Sequence, residues 1–214
     1  MLETDNTVKE VMGKMENKVK VKIFTSENKC VACNEALGII KELSKVSEGK
    51  LEFEHFNLED DKEKCEEYDV SRAPTILIPD FGIRYTGAPI GLETAPFVQT
   101  IIMASSGQTV LGDMVNDRLD KIKKKGKIRI IVTPTCPYCA QAVVLENSLA
   151  IMSENVDVEI IESYENPDLA RKYNVTGVPV TIINEKKKMT GVPNVAKLIS
   201  ELIDDRSKLN QMYS

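Results

Sequence analysis

The chain has 214 residues, 42% of them hydrophobic, and a formal net charge of −5. That length fits one large domain or two of about 100 residues. The negative charge gives no electrostatic case for nucleic-acid binding. No apolar run approaches the roughly 20 residues needed to span a bilayer, and the N-terminus lacks the layout of a signal peptide. We therefore expect a cytoplasmic protein with no nucleic-acid and no membrane partner.

The predicted elements of the first half follow the order helix, strand, helix, strand, helix, hairpin, helix. They are a helix spaced by Val8, Val11, Met12 and Met15, a strand over 19–24, a helix after Cys33, a strand over 51–56, a charged helix over 61–68, two hairpin strands over 75–78 and 83–86, and a helix over about 93–104.

The predicted elements of the second half repeat that order. They are a helix spaced by Met114, Val115, Leu119 and Ile122, a strand over 128–132, a helix after Cys139, a strand over 156–161, a short helix over 167–173, strands over 180–183 and ending near 190, and a helix over 195–203. The offset is 106 from Cys30 to Cys136 and 105 from Pro74 to Pro179. We expect two α/β units, residues 1–107 and 108–214, divided at a stretch of small residues.

Four of the five cysteines form two Cys-x-x-Cys motifs, Cys30-Val31-Ala32-Cys33 and Cys136-Pro137-Tyr138-Cys139. In a cytosolic chain this motif indicates redox chemistry or a metal site rather than a structural disulfide. Two pairs that share one zinc ion are commonly about 15–20 residues apart, whereas 102 residues lie between these two pairs. The spacing therefore favours two dithiol redox sites and no metal. One active and one inactive site remains an alternative.

The second motif has the residues of a helix start. Cys136 falls at the N-cap, Pro137 at the first helical position, where its missing N–H costs nothing, and Cys139 at the third. A thiolate at Cys136 can accept the free N–H groups of the first turn, and the helix dipole stabilises it further. The thiolate is the form that attacks disulfides.

The first motif keeps the spacing but replaces the dipeptide by Val31 and Ala32. Valine is less pre-set than proline for the first turn of a helix, although Lys29 places a positive charge beside Cys30. These features do not decide which site is the more oxidising. The fifth cysteine, Cys65, is expected to fill the core on a charged helix.

These residues resemble the thioredoxin/glutaredoxin superfamily. Cys136-Pro137-Tyr138-Cys139 is the glutaredoxin tetrad, and Gly177-Val178-Pro179 is similar to the cis-proline loop of that superfamily. The whole chain, in two units, is similar to the archaeal and thermophilic protein disulfide oxidoreductases. The resemblance implies an α/β fold of two tandem thioredoxin-like units, each a mixed sheet flanked by helices.

The resemblance also assigns roles to residues. Cys30 and Cys136 would be the nucleophiles, and Cys33 and Cys139 the resolving cysteines. The peptide bonds Ala73–Pro74 and Val178–Pro179 would be cis, with these four residues binding an extended substrate segment by strand addition.

Some positions depart from the family. The buried acid that thioredoxins keep six residues before the first cysteine is replaced by Phe24 and Ile130. The segment after the second cis-proline strand lacks the Gly-Gly turn of glutathione-binding glutaredoxins. His55 lies where thioredoxins place a buried lysine; we expect a partly exposed strand histidine, with a proton relay to Cys33 as the alternative.

The sequence therefore predicts an enzyme, a dithiol–disulfide oxidoreductase that reduces, forms or isomerises protein disulfides. Its partners would be disulfide-containing proteins and, because the chain has no cofactor motif, a flavoprotein electron donor of the thioredoxin reductase kind. Two alternatives stay open. One is an electron relay from such a flavoprotein to a peroxiredoxin, and the other is a non-catalytic peptide-binding or chaperone module.

Overall fold

The structure, a computed structural model, describes residues 6–28 and 30–203. Its helices are α1 (Asn6–Met12), α2 (Cys33–Val46), α3 (Lys62–Glu67), α4 (Thr94–Ser106), α5 (Asn116–Leu119), α6 (Pro137–Met152), α7 (Pro167–Lys172) and α8 (Val195–Ile203). Its strands are β1 (Val19–Thr25), β2 (Leu51–Asn57), β3 (Thr75–Ile78), β4 (Ile83–Thr86), β5 (Gly126–Val132), β6 (Val156–Glu162), β7 (Val180–Ile183) and β8 (Lys187–Thr190). The predicted repeat of element order is confirmed. Helices α1–α4 and strands β1–β4 form the first repeat, and helices α5–α8 and strands β5–β8 form the second.

The strands of the described part form one continuous sheet in the order β2-β1-β3-β4-β6-β5-β7-β8. In each repeat the first strand pairs parallel with the second and antiparallel with the third, and the last two form a hairpin. The two repeats join where β4 pairs parallel with β6, from Ile83↔Val158 to Thr86↔Ile161. Sequence reasoning predicts the two mixed sheets but not this seam.

The core lies on both faces of the sheet because the central strands are covered by helices on each side. Ile23 and Phe24, successive residues of β1, point to opposite faces. Ile23 belongs to the large cluster beneath the long helices, whereas Phe24 packs with Cys65 and Leu77 on the other face. The expectation that Cys65 fills the core is confirmed, since it is 8% exposed.

Matched polar contacts support the repeat. The Arg84 guanidinium donates to the carbonyl oxygens of Tyr68 and Asp69, at 2.6 and 2.9 Å. In the second repeat the Lys188 ammonium donates to the carbonyl oxygens of Tyr173 and Asn174, at 3.1 and 2.7 Å. In both repeats a cation on the last strand therefore holds the turn that leads to the proline segment.

The connection from the first strand to the Cys-x-x-Cys motif is one residue longer in the first repeat. Ile23 pairs with Ile76 as Ile130 pairs with Thr181. The structural counterpart of Ile130 is therefore Ile23 and not Phe24, the residue reached by counting back from the cysteine. Both counterparts are fully buried and apolar, so neither supplies an acid.

The first helix of the second repeat differs from its prediction. The segment folds as a 3₁₀ helix (Gly112–Val115) followed by the four-residue α5. Leu119 and Ile122 are buried, but Met114 is 90% exposed, because it lies off the face that meets the core. Over residues 6–28 and 30–203, no helix has the length and apolar character needed to cross a membrane.

Candidate active site

The second dithiol has the helix-start geometry that its sequence predicts. Cys136 is the N-cap of α6, in extended conformation, and Pro137 is the first helical residue. The Cys136 sulfur accepts a hydrogen bond from the backbone N–H of Cys139, at 3.2 Å. A negative charge on this sulfur would meet an N–H donor and the positive end of a 16-residue helix.

Cys139 is in a different environment, although only three residues away. Its side chain is fully buried. Burial, followed by the neighbouring Cys136 sulfur, raises the pKa of the Cys139 thiol, while a hydrogen bond with the Thr133 backbone opposes the rise. Cys136 is half-buried. The two sulfurs are therefore unequal, and the accessible one lies at the helix terminus.

The proline segment lies directly opposite the second dithiol. Val178–Pro179 is a cis peptide, as is Ala73–Pro74 in the first repeat, which confirms both expectations. The Cys136 thiol lies 3.7 Å from the carbonyl oxygen of Val178. The fold thus brings together a cysteine and a backbone segment 42 residues apart in the chain.

The first dithiol is arranged differently. Cys30 and Cys33 are joined by a disulfide, with their Cα atoms 5.4 Å apart. Helix α2 begins at Cys33, with Ala32 as its N-cap, so Val31 is not at the first helical position and the expected likeness to the second site is wrong here. Val31 lies in the segment before the helix and is 97% exposed. The charge predicted beside Cys30 is on Lys29, which lies outside the described residues.

A carboxylate on the neighbouring loop holds the segment that precedes Cys30. Glu59 accepts hydrogen bonds from the Ser26 hydroxyl at 2.5 Å, the Asn28 amide at 3.0 Å and the backbone N–H of Glu27 at 3.4 Å. The Ser26 N–H in turn donates to the Cys33 sulfur, at 3.4 Å. Sequence reasoning missed Glu59, which carries no local signal among the acids around it.

A buried acid from the first repeat lies within electrostatic range of the second dithiol. Glu93, between β4 and α4, is 2% exposed, and neither carboxylate oxygen has a hydrogen-bond partner. Burial, then the charge of Glu162, raises the pKa of Glu93 to about 7. The charge of Glu93 acts on Cys139 in turn and contributes to its raised pKa.

The backbone around Glu93 explains this placement. The N–H of Leu92 donates to the carbonyl oxygen of Pro134, at 2.8 Å. Gly91, at φ +60°, lies so close to Pro134 that a Cβ atom would be 2.6 Å from that oxygen. The first repeat is therefore locked against the loop that leads to Cys136.

Sequence reasoning missed Glu93 as well. A signal exists, because Glu93 is the sole charged residue between Arg84 and Asp113 in the sequence. A second lone acid, Glu146, interrupts the otherwise uncharged α6. It is fully buried, accepts a hydrogen bond from the Thr181 hydroxyl at 2.5 Å, and has a pKa raised by burial to about 8. In both cases the sequence signal is a single acidic residue within an apolar run.

His55 is exposed on β2, and its Nε2 lies 2.8 Å from the Thr25 hydroxyl. The expectation of a strand histidine near the surface is confirmed. Within the described ranges, no group of three or more His, Cys, Asp or Glu side chains is arranged to hold a metal ion.

Comparison with known proteins gives the family. The thioredoxin domain family matches residues 126–204. A thioredoxin from Methanocaldococcus jannaschii is 34% identical over 79 residues, which are 36% of this chain and 93% of that protein. The chain belongs to the thioredoxin family. The family match falls on the second repeat, so the likeness of the first repeat comes from the structure.

Solved structures cover both thioredoxin-like repeats. A protein disulfide oxidoreductase from Aeropyrum pernix K1 is 30% identical with a TM-score of 0.87, and the match covers 95% of this chain and 92% of that one. The NTD_N/C domain of the alkylhydroperoxide reductase AhpF from Enterococcus faecalis, 20% identical with a TM-score of 0.81 over 92% and 96% of the two chains, shares the fold. This thioredoxin-family protein is a dithiol–disulfide oxidoreductase with two Cys-x-x-Cys motifs.

Proposed function

We propose that both motifs exchange disulfides with substrate proteins, Cys136 and Cys30 as nucleophiles and Cys139 and Cys33 as resolving cysteines. The observation that carries the proposal is the position of the Cys136 sulfur, between the Cys139 N–H and the Val178 carbonyl. There it combines N–H stabilisation of a thiolate with access to a substrate-binding segment.

Each cycle moves two electrons. The Cys136 thiolate attacks one sulfur of a substrate disulfide, forms a mixed disulfide and releases the other sulfur as a thiolate. Cys139, after losing its proton, attacks the Cys136 sulfur. The Cys136–Cys139 disulfide forms and the second substrate thiolate leaves. The substrate is reduced, the dithiol is oxidised, and the same steps in reverse oxidise or isomerise a substrate.

We assign the proton of Cys139 to Glu93. The buried Cys139 thiol resists ionisation, and the unpartnered Glu93 carboxylate is the acid whose charge acts on it. A carboxylate with a pKa near 7 is matched to proton transfer at neutral pH. The acid would thus come from the first repeat and serve the dithiol of the second, which has Ile130 at the usual position.

Substrate binding is proposed for Ala73, Pro74, Val178 and Pro179. The residue before each cis-proline is half-buried, whereas the proline is buried, so a backbone edge remains open beside the dithiol. An extended substrate segment can pair with it, and its main-chain hydrogen bonds would bind many sequences.

The electron donor is proposed to be a flavoprotein of the thioredoxin reductase kind, in the cytoplasm. The likeness to the NTD_N/C domain of AhpF is a likeness of fold, and it keeps the relay to a peroxiredoxin as the second candidate. We take residues 1–107 and 108–214 as the two units, each with its own dithiol.

The test uses the intact chain and three variants: Cys30→Ser/Cys33→Ser, Cys136→Ser/Cys139→Ser, and all four together. Reduction of insulin disulfides with dithiothreitol as electron source should persist in part in each double variant and vanish in the quadruple one. Equal acceleration by the quadruple variant would mean that the motif cysteines take no part, and would instead support a peptide-binding module that only exposes insulin disulfides to dithiothreitol. Adding a peroxiredoxin with its peroxide, and a thioredoxin reductase, distinguishes the relay.

A further inference from the structure

A groove of about 380 Å³ runs between α4 and α6. Every residue that lines it is uncharged, in a chain of which 29% is charged. Ala95, Pro96 and Gln99 form one wall, Gln141 and Leu145 the other, and Val110 lies in it with 51% of its side chain exposed. Its volume is in the range of specific ligand sites.

The groove begins next to the second dithiol in the chain, since Ala140, which lines it, follows Cys139 directly. Leu92 lies one turn before Ala95 on the α4 side, is 47% exposed, and bonds through its N–H to Pro134, two residues before Cys136. On the α6 side Tyr138 precedes Gln141 by three residues and Leu145 by seven, which places them on one helix face. Tyr138 belongs to the Cys-x-x-Cys motif and is 66% exposed. Both walls therefore continue toward large exposed apolar side chains, Leu92 bonded to the loop before Cys136 and Tyr138 within the motif.

We propose that this groove binds an extended apolar segment of the substrate polypeptide, next to the substrate cysteine that Cys136 attacks. The proposal rests on the proposed role of Cys136. Continuity with the dithiol fixes the occupant, since a substrate held on Cys136 has its flanking residues within reach of Leu92 and Tyr138. A chain whose disulfides still need exchange is incompletely folded and exposes apolar side chains. An uncharged groove beside the dithiol thus selects unfolded over native substrates.

The groove predicts a preference that small disulfides cannot reveal. The test uses the Cys30→Ser/Cys33→Ser background, so that the second dithiol alone reacts. Two disulfide-linked peptides of equal length and charge are compared, one with Leu and Phe flanking the cysteine and one with Ser and Gly. Single-turnover reduction by the pre-reduced protein gives the half-saturating concentration and the limiting rate of each. We expect half-saturation about tenfold lower for the apolar peptide.

Two substitutions test the location. Val110→Asp and Ala95→Glu, both at exposed positions, should abolish the preference while leaving the limiting rate with the polar peptide and with hydroxyethyl disulfide unchanged. Met114→Asp is the matched control, because Met114 is 90% exposed and does not line the groove. It should keep the full preference.

The contrary outcomes are distinct. Equal half-saturation for the two peptides in the parent protein, or a preference that survives both groove substitutions, overturns the proposal. So does a dimer, seen by light scattering, that Val110→Asp converts to monomer, or a preference that arises only when residues 204–214 are deleted. If instead Cys136 is not the attacking thiol, adding Cys136→Ser to this background leaves the first attack on both peptides and on hydroxyethyl disulfide intact.

Discussion

Glu93→Gln separates chemistry from stability at the second dithiol. Glutamine keeps the size of the buried side chain but cannot accept a proton. Burial and the neighbouring Glu162 raise the pKa of Glu93 from 4.5 to about 7. The charge of Glu93 also acts on Cys139 and Tyr85, whose pKa values lie above their ordinary range mainly because both are buried. The charge of this carboxylate is thus disfavoured by burial and by Glu162.

The stability effect follows from the shift. At about 1.4 kcal/mol per pKa unit, ionising Glu93 in the folded state costs about 3 kcal/mol. Because the folded pKa is raised, the native state binds more protons than the unfolded state between pH 4.5 and 7. Stability of the parent therefore falls as pH rises through that window. Glu93→Gln should be more stable than the parent by up to about 3 kcal/mol at about pH 8, and should lose this advantage at about pH 4.

The activity should move the other way. Without its proton acceptor, resolution of a preformed mixed disulfide on Cys136 should slow about a hundredfold at neutral pH. Stopped-flow measurement in the Cys30→Ser/Cys33→Ser background gives this rate. In the parent it should rise through about pH 7, and Glu93→Gln should lose that inflection. Glu146→Gln is the control, a buried acid whose loss should leave the rate unchanged. A Glu93→Gln variant with parental resolution rate and pH profile would refute the reasoning.

Three further predictions concern single features. Burial raises the pKa of Glu146 to about 8, so the stability that its protonated form contributes is lost as pH rises through that value. Glu146→Gln should therefore be a few kcal/mol more stable than the parent at about pH 10, measured by urea denaturation. Equal stability of the two proteins at that pH contradicts this prediction. Glu59→Ala frees the loop whose Ser26 N–H donates to the Cys33 sulfur. The rate of mixed-disulfide resolution at the first dithiol should therefore fall roughly three- to tenfold, with no change at the second dithiol. Equal slowing at both dithiols would point to a general loss of structure. Cys136 caps α6, whereas Cys30 precedes its helix, so the reduction potential of the second dithiol should be about 30 mV more oxidising than that of the first. Equilibration of the two double variants in glutathione buffers measures both potentials. A more oxidising first dithiol contradicts this prediction.

The elements that could be predicted are those with a local signal in the sequence, such as apolar periodicity or a turn residue. Strands β3, β4 and β7 and helix α8 begin and end where the apolar periodicity places them. The tetrad with Pro137 gives the start of α6 to the residue. The pairing of β4 with β6 could not be predicted in this way. Alternation of apolar residues indicates that a segment is a strand, but it does not say which other strand pairs with its edge.

The candidate site divides in the same manner. The four motif cysteines and both cis-prolines are legible because each needs a particular residue type in a particular local conformation. Glu59 carries no such signal, and Glu93 stands out only as an isolated acid, since the roles of both depend on contacts between segments distant in the chain. Glu93 lies 43 residues before Cys136, and the join of the two repeats brings it to Cys139. The later start of α2 was also hidden, because spacing alone does not say where hydrogen bonding begins.

Trapping of a substrate on one cysteine tests the account most directly. Cys136→Ser and Cys139→Ser are each made in the Cys30→Ser/Cys33→Ser background and mixed with a substrate that carries one disulfide. Mass spectrometry of the acid-quenched mixture then identifies the covalent complex. We predict that Cys139→Ser accumulates a mixed disulfide through Cys136, and that Cys136→Ser accumulates little through the buried Cys139. Equal trapping through Cys139 would contradict the assignment of Cys136 as the attacking thiolate.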